Sequence, residues 1–290
     1  MFSIENQNPT NTIAMKNILV AIDFSKNAEH ALEYALLFAD KMNVGIHMIW
    51  VDNTLSDESV IDTIEGDLRR EKKSYMNSLI EKYQPLLNGR KIEVLFRKGR
   101  VYQEITKAAR QIDAEMIFTG THGVSGYEQY WIGSNAYRIV TQAPCPVVTI
   151  RSDYDFSRGI NDILLPIDSS LETKQKLPYT CDLSIMFNAK IHLLIIYNTP
   201  LNVIRKRIDK IAAEAEVCLN EKRVKYVFEK LEADNVAASI LKYSEEQDID
   251  LLTIMTDQGT TTANKFLGPY AQQLINNSKI PIMSLRAKEF

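Results

Sequence analysis

Short apolar runs alternate along this chain with longer segments in which apolar residues recur at helical spacing. Residues 18–22 form one such run, which is typical of a strand buried on both faces of a sheet. Residues 25–42 carry alanine and leucine every three or four positions, which predicts a helix with one buried face. The same alternation predicts further strands at 46–51, 91–96, 116–119 and 147–150, and further helices at 65–83, 102–111 and 134–141.

Strands that alternate with helices predict crossover connections, and therefore a parallel sheet with helices on both faces. In such α/β sheets a ligand crevice lies outside the carboxyl ends of the strands, where the strand order reverses. We therefore expect binding residues at the ends of the strands rather than within them.

The chain contains two copies of this pattern. The segment ILVAIDFS at 18–25 returns as ILLPIDSS at 163–170, and APCPVVTIR at 143–151 returns as SKIPIMSLR at 278–286. The displacement is 145 positions for the first pair and 135 for the second, so the second copy is ten residues shorter in its middle. The repeat predicts two tandem domains, each a five-stranded parallel sheet of Rossmann-like α/β type.

The repeat also fixes the expected boundaries of these domains. We predict a loose N-terminal tail at 1–14, a first domain at 15–151, a polar linker at 152–161 and a second domain at 162–290.

Charge and composition narrow the class of protein. The formal net charge is -3, with 34 basic and 37 acidic residues and no long basic run, which argues against a nucleic-acid partner. No apolar run reaches the roughly 20 residues of a membrane span, and the start lacks the pattern of a secretory signal. The 3 cysteines are far apart and form no CxxC pair or zinc-like cluster. We expect free thiols, no metal site and a cytoplasmic location.

A glycine pattern follows the fourth predicted strand of the first copy. It has the form G-x2-G-x9-G-[ST] and comprises Gly120, Gly123, Gly133 and Ser134. Glycines allow a tight turn and close backbone approach to a ligand. The helix that begins near Ser134 offers unpaired N–H groups and the positive end of its dipole, which suit a phosphate. On these residues alone, ordinary turn and cap glycines explain the pattern equally well.

Asp23 ends the first strand on the same edge of the sheet. Its carboxylate can accept hydrogen bonds from ribose hydroxyls, or it can cap the next helix. Ser25 is better placed to be the cap.

ILVAIDFS, the glycine loop and APCPVVTIR together resemble a universal stress protein domain of the ATP-binding kind, present twice between Lys16 and Arg286. The resemblance implies that the triphosphate binds at the glycine pattern and that the ribose and adenine lie near Asp23. It implies that the backbone at Val51 contacts the adenine edge. It also implies that the last strands of the two copies, at 147–150 and 281–285, could pair within the chain and form a pseudo-dimer, and a homodimer of whole chains stays open. The cofactor expected in the first half is ATP, with accompanying magnesium left open.

The second copy departs from the glycine pattern. Gly120 becomes Met255, Gly123 becomes Gln258 and Ser134 becomes Pro269, while Gly268 is retained. Side chains then stand where bare backbone is needed, and proline removes one N–H donor. We expect no tight ATP site in the second half.

No catalytic residue is predicted. His122 lies in the loop without a partner nucleophile, His30 is expected to be exposed, and no phosphate-binding GxxxxGK[ST] lysine is present. The leading hypothesis is a nucleotide-dependent stress-response or regulatory module. A slow ATP-hydrolysing or nucleotidyl-transferring enzyme and a nucleotide-free interaction protein are the alternatives.

Overall fold

The first half of the chain folds into five strands with a helix after each of the first four. The computed structural model describes residues 17–53, 62–121, 132–256 and 267–287. In chain order the elements of the first half are β1 (Ile18–Ala21), α1 (Lys26–Met42), β2 (Ile46–Asp52), α2 (Asp62–Tyr83), β3 (Ile92–Lys98), α3 (Val101–Gln111), β4 (Met116–Gly120), α4 (Ser134–Gln142) and β5 (Val147–Ile150).

The second half repeats this order of elements. They are β6 (Asp162–Ile167), α5 (Lys176–Phe187), β7 (Lys190–Tyr197), α6 (Asn202–Glu221), β8 (Tyr226–Glu232), α7 (Val236–Glu246), β9 (Leu251–Met255), α8 (Pro269–Asn277) and β10 (Ile282–Leu285). The halves differ before α5, where a 3₁₀ turn at Leu171–Gln175 takes the place of the first turn of α1.

All ten strands form one sheet in the order β3-β2-β1-β4-β5-β10-β9-β6-β7-β8. The pairings inside each half are parallel, which confirms the predicted α/β class with two tandem parallel sheets. The two halves meet where β5 pairs antiparallel with β10, with Thr149 opposite Ile282. The expected pairing of the two terminal strands is therefore present within the chain.

Apolar side chains on both faces of this sheet form cores that continue from one half into the other. On one face α1 and α5 pack together, and the rings of Phe38 and Phe187 lie 4.9 Å apart. On the opposite face, α3 and α4 of the first half share a cluster with α7 and α8 of the second. Among the described residues, none of the helices combines the length and the apolar character that a membrane span requires.

Residues 152–161, expected as a polar linker, pack closely against α1. The Phe156 ring lies 5.3 Å from the Tyr34 ring and 4.9 Å from the His30 ring. His30 Nε2 is 2.8 Å from the carbonyl oxygen of Tyr154. His30 is only partly exposed, so the expectation of an exposed histidine is wrong. The reason is that the connecting segment returns over α1 and covers it.

The buried carboxylate of Asp250 also holds the connecting segment at 152–161 in place. Asp250, at the start of β9, is fully buried and accepts a hydrogen bond of 2.5 Å from Arg158 Nε. Its second oxygen accepts the backbone N–H groups of Asn161 and Asp162 at 2.8 and 2.9 Å. Because a buried charge is tolerated only when it is fully hydrogen-bonded, these donors and Asp250 depend on one another.

Replacing Asp250 with alanine should therefore lower the free energy of unfolding by about 3 kcal/mol, since one guanidinium and two amides lose their acceptor. Urea unfolding followed by circular dichroism measures this loss. Glu246→Ala, on the exposed end of α7, is the control and should change stability by less than about 0.5 kcal/mol. Equal stability of the two variants would contradict the account of this segment.

Candidate functional site

A cavity of about 330 Å³ opens at the carboxyl ends of β1, β2 and β4. β1 lies between β2 and β4, so the chain crosses to opposite sides of β1 and the strand order reverses there. This is where parallel α/β sheets form ligand crevices. The first turn of α4 closes the far side of the cavity.

Asp23 lies at this crevice and is only partly buried. Its Oδ1 accepts the N–H of Ser25 at 3.0 Å and the Ser25 hydroxyl at 2.5 Å. The Ser25 hydroxyl in turn accepts the N–H of Ala28 at 3.1 Å, so Ser25 is the cap of α1, as expected. Asp23 therefore supports the cap through one oxygen, and Oδ2 has no partner among the described residues.

Successive residues of a parallel strand direct their N–H and carbonyl groups alternately to the two neighbouring strands. This alternation makes the backbone of Val51 face the crevice. Ile49 O accepts the N–H of Ile22, so the polar groups of Ile49 point toward β1. Asp52 O accepts the N–H of Gly99, so the polar groups of Asp52 point toward β3. Val51 therefore directs its N–H and carbonyl to the side of β1, at a level where β1 has already ended.

The beginning of α4 presents free backbone amides to the cavity. The cap residue Gly133 donates its own N–H to Thr121 O at 2.8 Å, and the first helical bond runs from Tyr137 N to Gly133 O. The amides of residues 134–136 have no acceptor among the described residues, and these residues line the cavity. An anion placed there would accept hydrogen bonds from the unpaired N–H groups at this end of the helix.

Gly120 is required by packing as well as by any ligand. A Cβ at this position would lie 2.7 Å from Asn27 Cβ and 2.9 Å from the Asn27 carbonyl carbon. The end of β4 therefore touches the first turn of α1, and only glycine fits there. Gly123, together with His122, lies outside the described residues. The structure thus brings Asp23, Val51, Gly120, Gly133 and Ser134 together around one cavity.

The equivalent position in the second half retains a cavity of only about 20 Å³. Most of its lining residues correspond to residues that line the first cavity, and several of them are larger. Ile254 replaces Thr119, Met255 replaces Gly120 and Tyr270 replaces Asn135. The second crevice is therefore filled by its own side chains.

The substitution of Gly120 by Met255 also explains the changed helix start. The residue equivalent to Asn27 is Glu172, which belongs to the 3₁₀ turn at Leu171–Gln175 instead of an α-helix. A methionine side chain cannot occupy the space that Gly120 leaves against α1, and Pro178 has no N–H to donate to the carbonyl of Lys174, so the regular helix begins only at Lys176.

The late start of α5 places Lys176 inside the closed crevice. This side chain is buried and lines the remaining cavity together with Asp168. Burial lowers the pKa of the Lys176 ammonium to about 8, and the Asp168 carboxylate offsets part of that effect. Asp168 accepts the Ser170 N–H and hydroxyl at 3.0 and 2.6 Å, as Asp23 does with Ser25.

A family model for the universal stress protein family matches residues 15–151 and again residues 159–286. The chain belongs to the universal stress protein family. A Staphylococcus aureus (strain USA300) protein named as a universal stress protein is 27% identical over 145 residues, which is 49% of this chain and 87% of the relative.

Solved universal stress proteins share the whole tandem fold. The protein from Archaeoglobus fulgidus DSM 4304 superposes with a TM-score of 0.75 at 18% identity, covering 94% of this chain and 97% of that chain. A second one, from Pseudomonas aeruginosa UCBPP-PA14, superposes with a TM-score of 0.64 at 16% identity and covers 94% of each chain. These similarities establish the fold of a tandem universal stress protein.

Several lining residues were not singled out from the sequence. Asn53 and Asn135 bring side-chain amides to the cavity, and Val101 and Ile105 of α3 provide an apolar wall. The apolar wall could have been recognised from the repeat, because Val236 and Ile240 occupy the same places in the second half. Within the described residues, no group of three His, Cys, Asp or Glu side chains is arranged to hold a metal ion.

Gly120→Ala should lower the free energy of unfolding by about 1–3 kcal/mol, because the new methyl group meets the Asn27 backbone. Gly159→Ala is the comparison, since Gly159 has φ of +76° and no atom within 4 Å of an added Cβ. That variant should lose only the roughly 1 kcal/mol of left-handed backbone strain. Unchanged stability of Gly120→Ala in urea unfolding would show that β4 and α1 do not touch as described.

Lys176→Met should stabilise the protein at pH 7 by up to roughly 3 kcal/mol, because a lowered pKa means that folding disfavours the charged amine. The unfolded chain binds more protons between the folded pKa of about 8 and the ordinary value of 10.5. Wild-type stability should therefore rise with pH across this window, and the advantage of the variant should shrink.

The measurement is urea unfolding of both proteins at several pH values from 7 to 10. Lys174→Met removes an exposed lysine from the preceding turn and leaves the buried amine in place, so it should keep the wild-type slope. An advantage of Lys176→Met that stays constant with pH would contradict the buried charge.

Proposed function

We propose that the first half binds ATP in the 330 Å³ cavity and that the protein acts as a nucleotide-dependent stress-response module of the cytoplasm. The observation that carries the proposal is the combination of free α4 amides, the Asp23 carboxylate and the Val51 backbone around one crevice. Each offers the chemistry that one part of the nucleotide requires. The tandem family membership and the complete glycine pattern support the same assignment.

The phosphates would lie at the first turn of α4. The amides of residues 134–136 and the hydroxyl of Ser134 can donate to phosphate oxygens, and the helix dipole favours the negative charge. Among the described residues that line the cavity none is a lysine or an arginine. Backbone amides would therefore supply most of the attraction, together with Gly123 of the loop.

The nucleoside would lie nearer to β1 and β2. Oδ2 of Asp23 can accept a ribose hydroxyl while Oδ1 keeps its bonds to Ser25. The N–H and carbonyl of Val51 can pair with the donor and acceptor edge of adenine. Apolar side chains of α3, Val101 and Ile105, would cover a face of the base.

Binding without rapid turnover follows from the same lining. Asp23 is the one carboxylate among the described lining residues, and one oxygen of it is engaged by Ser25. A cationic side chain to stabilise charge on the γ-phosphate is absent from this described set, and fast phosphoryl transfer depends on such charge. Magnesium would arrive with the nucleotide, and ATP hydrolysis should be weak at most.

A ligand in the first half can influence the whole chain because the two halves share one sheet and continuous cores. ATP that binds only the native state stabilises it by RT ln(1 + [ATP]/Kd). The regulatory step would then be recognition of the ATP-loaded chain by a protein partner.

Asp23→Ala should weaken ATP binding about tenfold, since one charge-assisted hydrogen bond to the ribose is lost. Isothermal titration of the purified protein, freed of nucleotide, measures the dissociation constant. Asp168→Ala is the matched control, because Asp168 makes the same two bonds to Ser170 in the closed second crevice.

The control variant should lose at least as much stability, because it also removes the carboxylate beside the buried Lys176, and it should keep wild-type ATP affinity. Equal weakening by both variants would mean that the effect is structural. No measurable ATP binding by the wild type would favour the nucleotide-free interaction protein, and turnover faster than about one per minute would favour the enzyme.

A further inference from the structure

The residue between Asp23 and Ser25 has a backbone conformation that is unusual for its type. Phe24 has φ of +66°, in the left-handed region that a residue with a bulky side chain rarely adopts. Such a conformation costs free energy and persists only where other contacts hold it, and it occurs most often at functional sites. The contacts around Phe24 should therefore show what holds it and what it serves.

The other described non-glycine residues with positive φ have an ordinary reason for this conformation. Each lies one or two residues past the end of an α-helix or a 3₁₀ helix, where a left-handed residue commonly caps the last turn. They are Asn43, Asn88, Asp113, Asn188, Arg223 and Asp248. Phe24 precedes a helix instead, and it is the one aromatic residue in this described set.

The internal repeat shows that the hydrogen bonds across Phe24 do not impose its conformation. Asp23 accepts the N–H and the hydroxyl of Ser25 across Phe24. The equivalent aspartate and serine of the second half make the same two bonds across Ser169. Ser169 does not have a positive φ. These bonds alone therefore do not account for the left-handed backbone of Phe24.

The ring of Phe24 is held by side chains of α2 and β2. The Tyr75 ring meets it edge-on, with the two ring centres 5.1 Å apart. Lys72 Nζ lies 4.3 Å from the centre of the Phe24 ring, and the centre of the Trp50 ring lies 5.8 Å away. Aromatic and cation–π contacts of this kind are stabilising, so they can hold the strained backbone in place.

Phe24 supports the candidate nucleotide cavity from outside. Among the described residues that line this cavity are Asp23 and Trp50, but not Phe24. Phe24 therefore connects a lining residue that precedes it in the chain to an anchoring cluster that lies beyond the cavity wall.

We propose that Phe24 is a positioning residue that holds the Asp23 carboxylate in the orientation that receives a ribose hydroxyl. This inference rests on the proposed binding of ATP in the first half. The anchored ring fixes the backbone of Phe24, and Asp23 is its immediate neighbour in the chain. Ser25 restrains Oδ1 of Asp23, so the two restraints together leave Oδ2 for the ligand.

The test compares ATP with dideoxy-ATP, which lacks both ribose hydroxyls. Isothermal titration of the full-length protein, freed of nucleotide, gives a dissociation constant for each ligand. The wild type should bind ATP about tenfold more tightly than dideoxy-ATP, because only ATP offers a hydroxyl to Asp23. Phe24→Ala should reduce this preference to about twofold or less. A merely structural role of Phe24 would leave the preference unchanged.

Matched variants separate the anchoring ring from other effects. Phe24→Tyr keeps the aromatic ring and should keep most of the preference. Tyr75→Ala removes one anchor of the ring and should reduce the preference, whereas Tyr75→Phe keeps that anchor and loses only the hydroxyl, which donates to Glu29. Ser169→Ala, at the equivalent place in the second half, should bind both ligands like the wild type.

A double-mutant cycle shows whether Phe24 acts through Asp23. In the Asp23→Ala background, Phe24→Ala should leave ATP affinity unchanged, because the carboxylate that it positions is absent. Far-ultraviolet circular dichroism and melting temperature verify that each variant is folded. If Phe24→Ala does not fold, Tyr75→Ala takes its place in the cycle.

The outcomes distinguish this inference from the proposed function. A folded Phe24→Ala protein that keeps the wild-type preference, or that loses equal affinity in both backgrounds, would overturn the role of Phe24 and leave ATP binding intact. Equal binding of the two ligands by the wild type would overturn the ribose contact of Asp23 and, with it, the role of Phe24. No binding of ATP by the wild type would overturn this inference together with the proposed function.

Discussion

The contact between the end of β4 and the first turn of α1 determines how each half of this protein is arranged. In the first half Gly120 lets the two backbones touch at a distance that excludes any Cβ. α1 can then begin at Lys26, directly after its Ser25 cap, and the crevice beside it stays open. In the second half Met255 excludes that contact, and the first turn becomes a 3₁₀ turn. Lys176 then enters the crevice, which Ile254, Met255 and Tyr270 also help to fill.

The second physical constraint is the pairing of β5 with β10. This antiparallel ladder joins two parallel sheets without leaving either terminal strand as an exposed edge. It also aligns helices of both halves over shared cores, so that side chains of one half pack directly against side chains of the other.

Much of this architecture is predictable because it depends on local patterns. The apolar runs and helical periodicity predict the first-half elements to within a few residues, and the repeat predicts the tandem arrangement. Asp23 and the glycine pattern each follow a predicted strand, and this position predicts that they lie at the same edge of the sheet. The family resemblance adds Val51, whose orientation the strand alternation then explains.

The features that escape prediction are those that depend on contacts distant in the chain. His30 is covered because Phe156 returns to α1, and polar composition conceals this packing in residues 152–161. The clash partner of Gly120 is Asn27, far earlier in the sequence, so the glycine resembles a loop residue rather than a packing residue. The burial of Lys176 follows from the same contact and has no local signal, since lysine is ordinarily exposed.

The central claim is that one half of the chain is open to nucleotide and the other is closed by its own side chains. Equilibrium dialysis of the full-length protein against radiolabelled ATP, at a protein concentration well above the dissociation constant, counts the sites directly. We expect saturation at one ATP per chain. Saturation at two, or no retained ATP, would contradict a single open site.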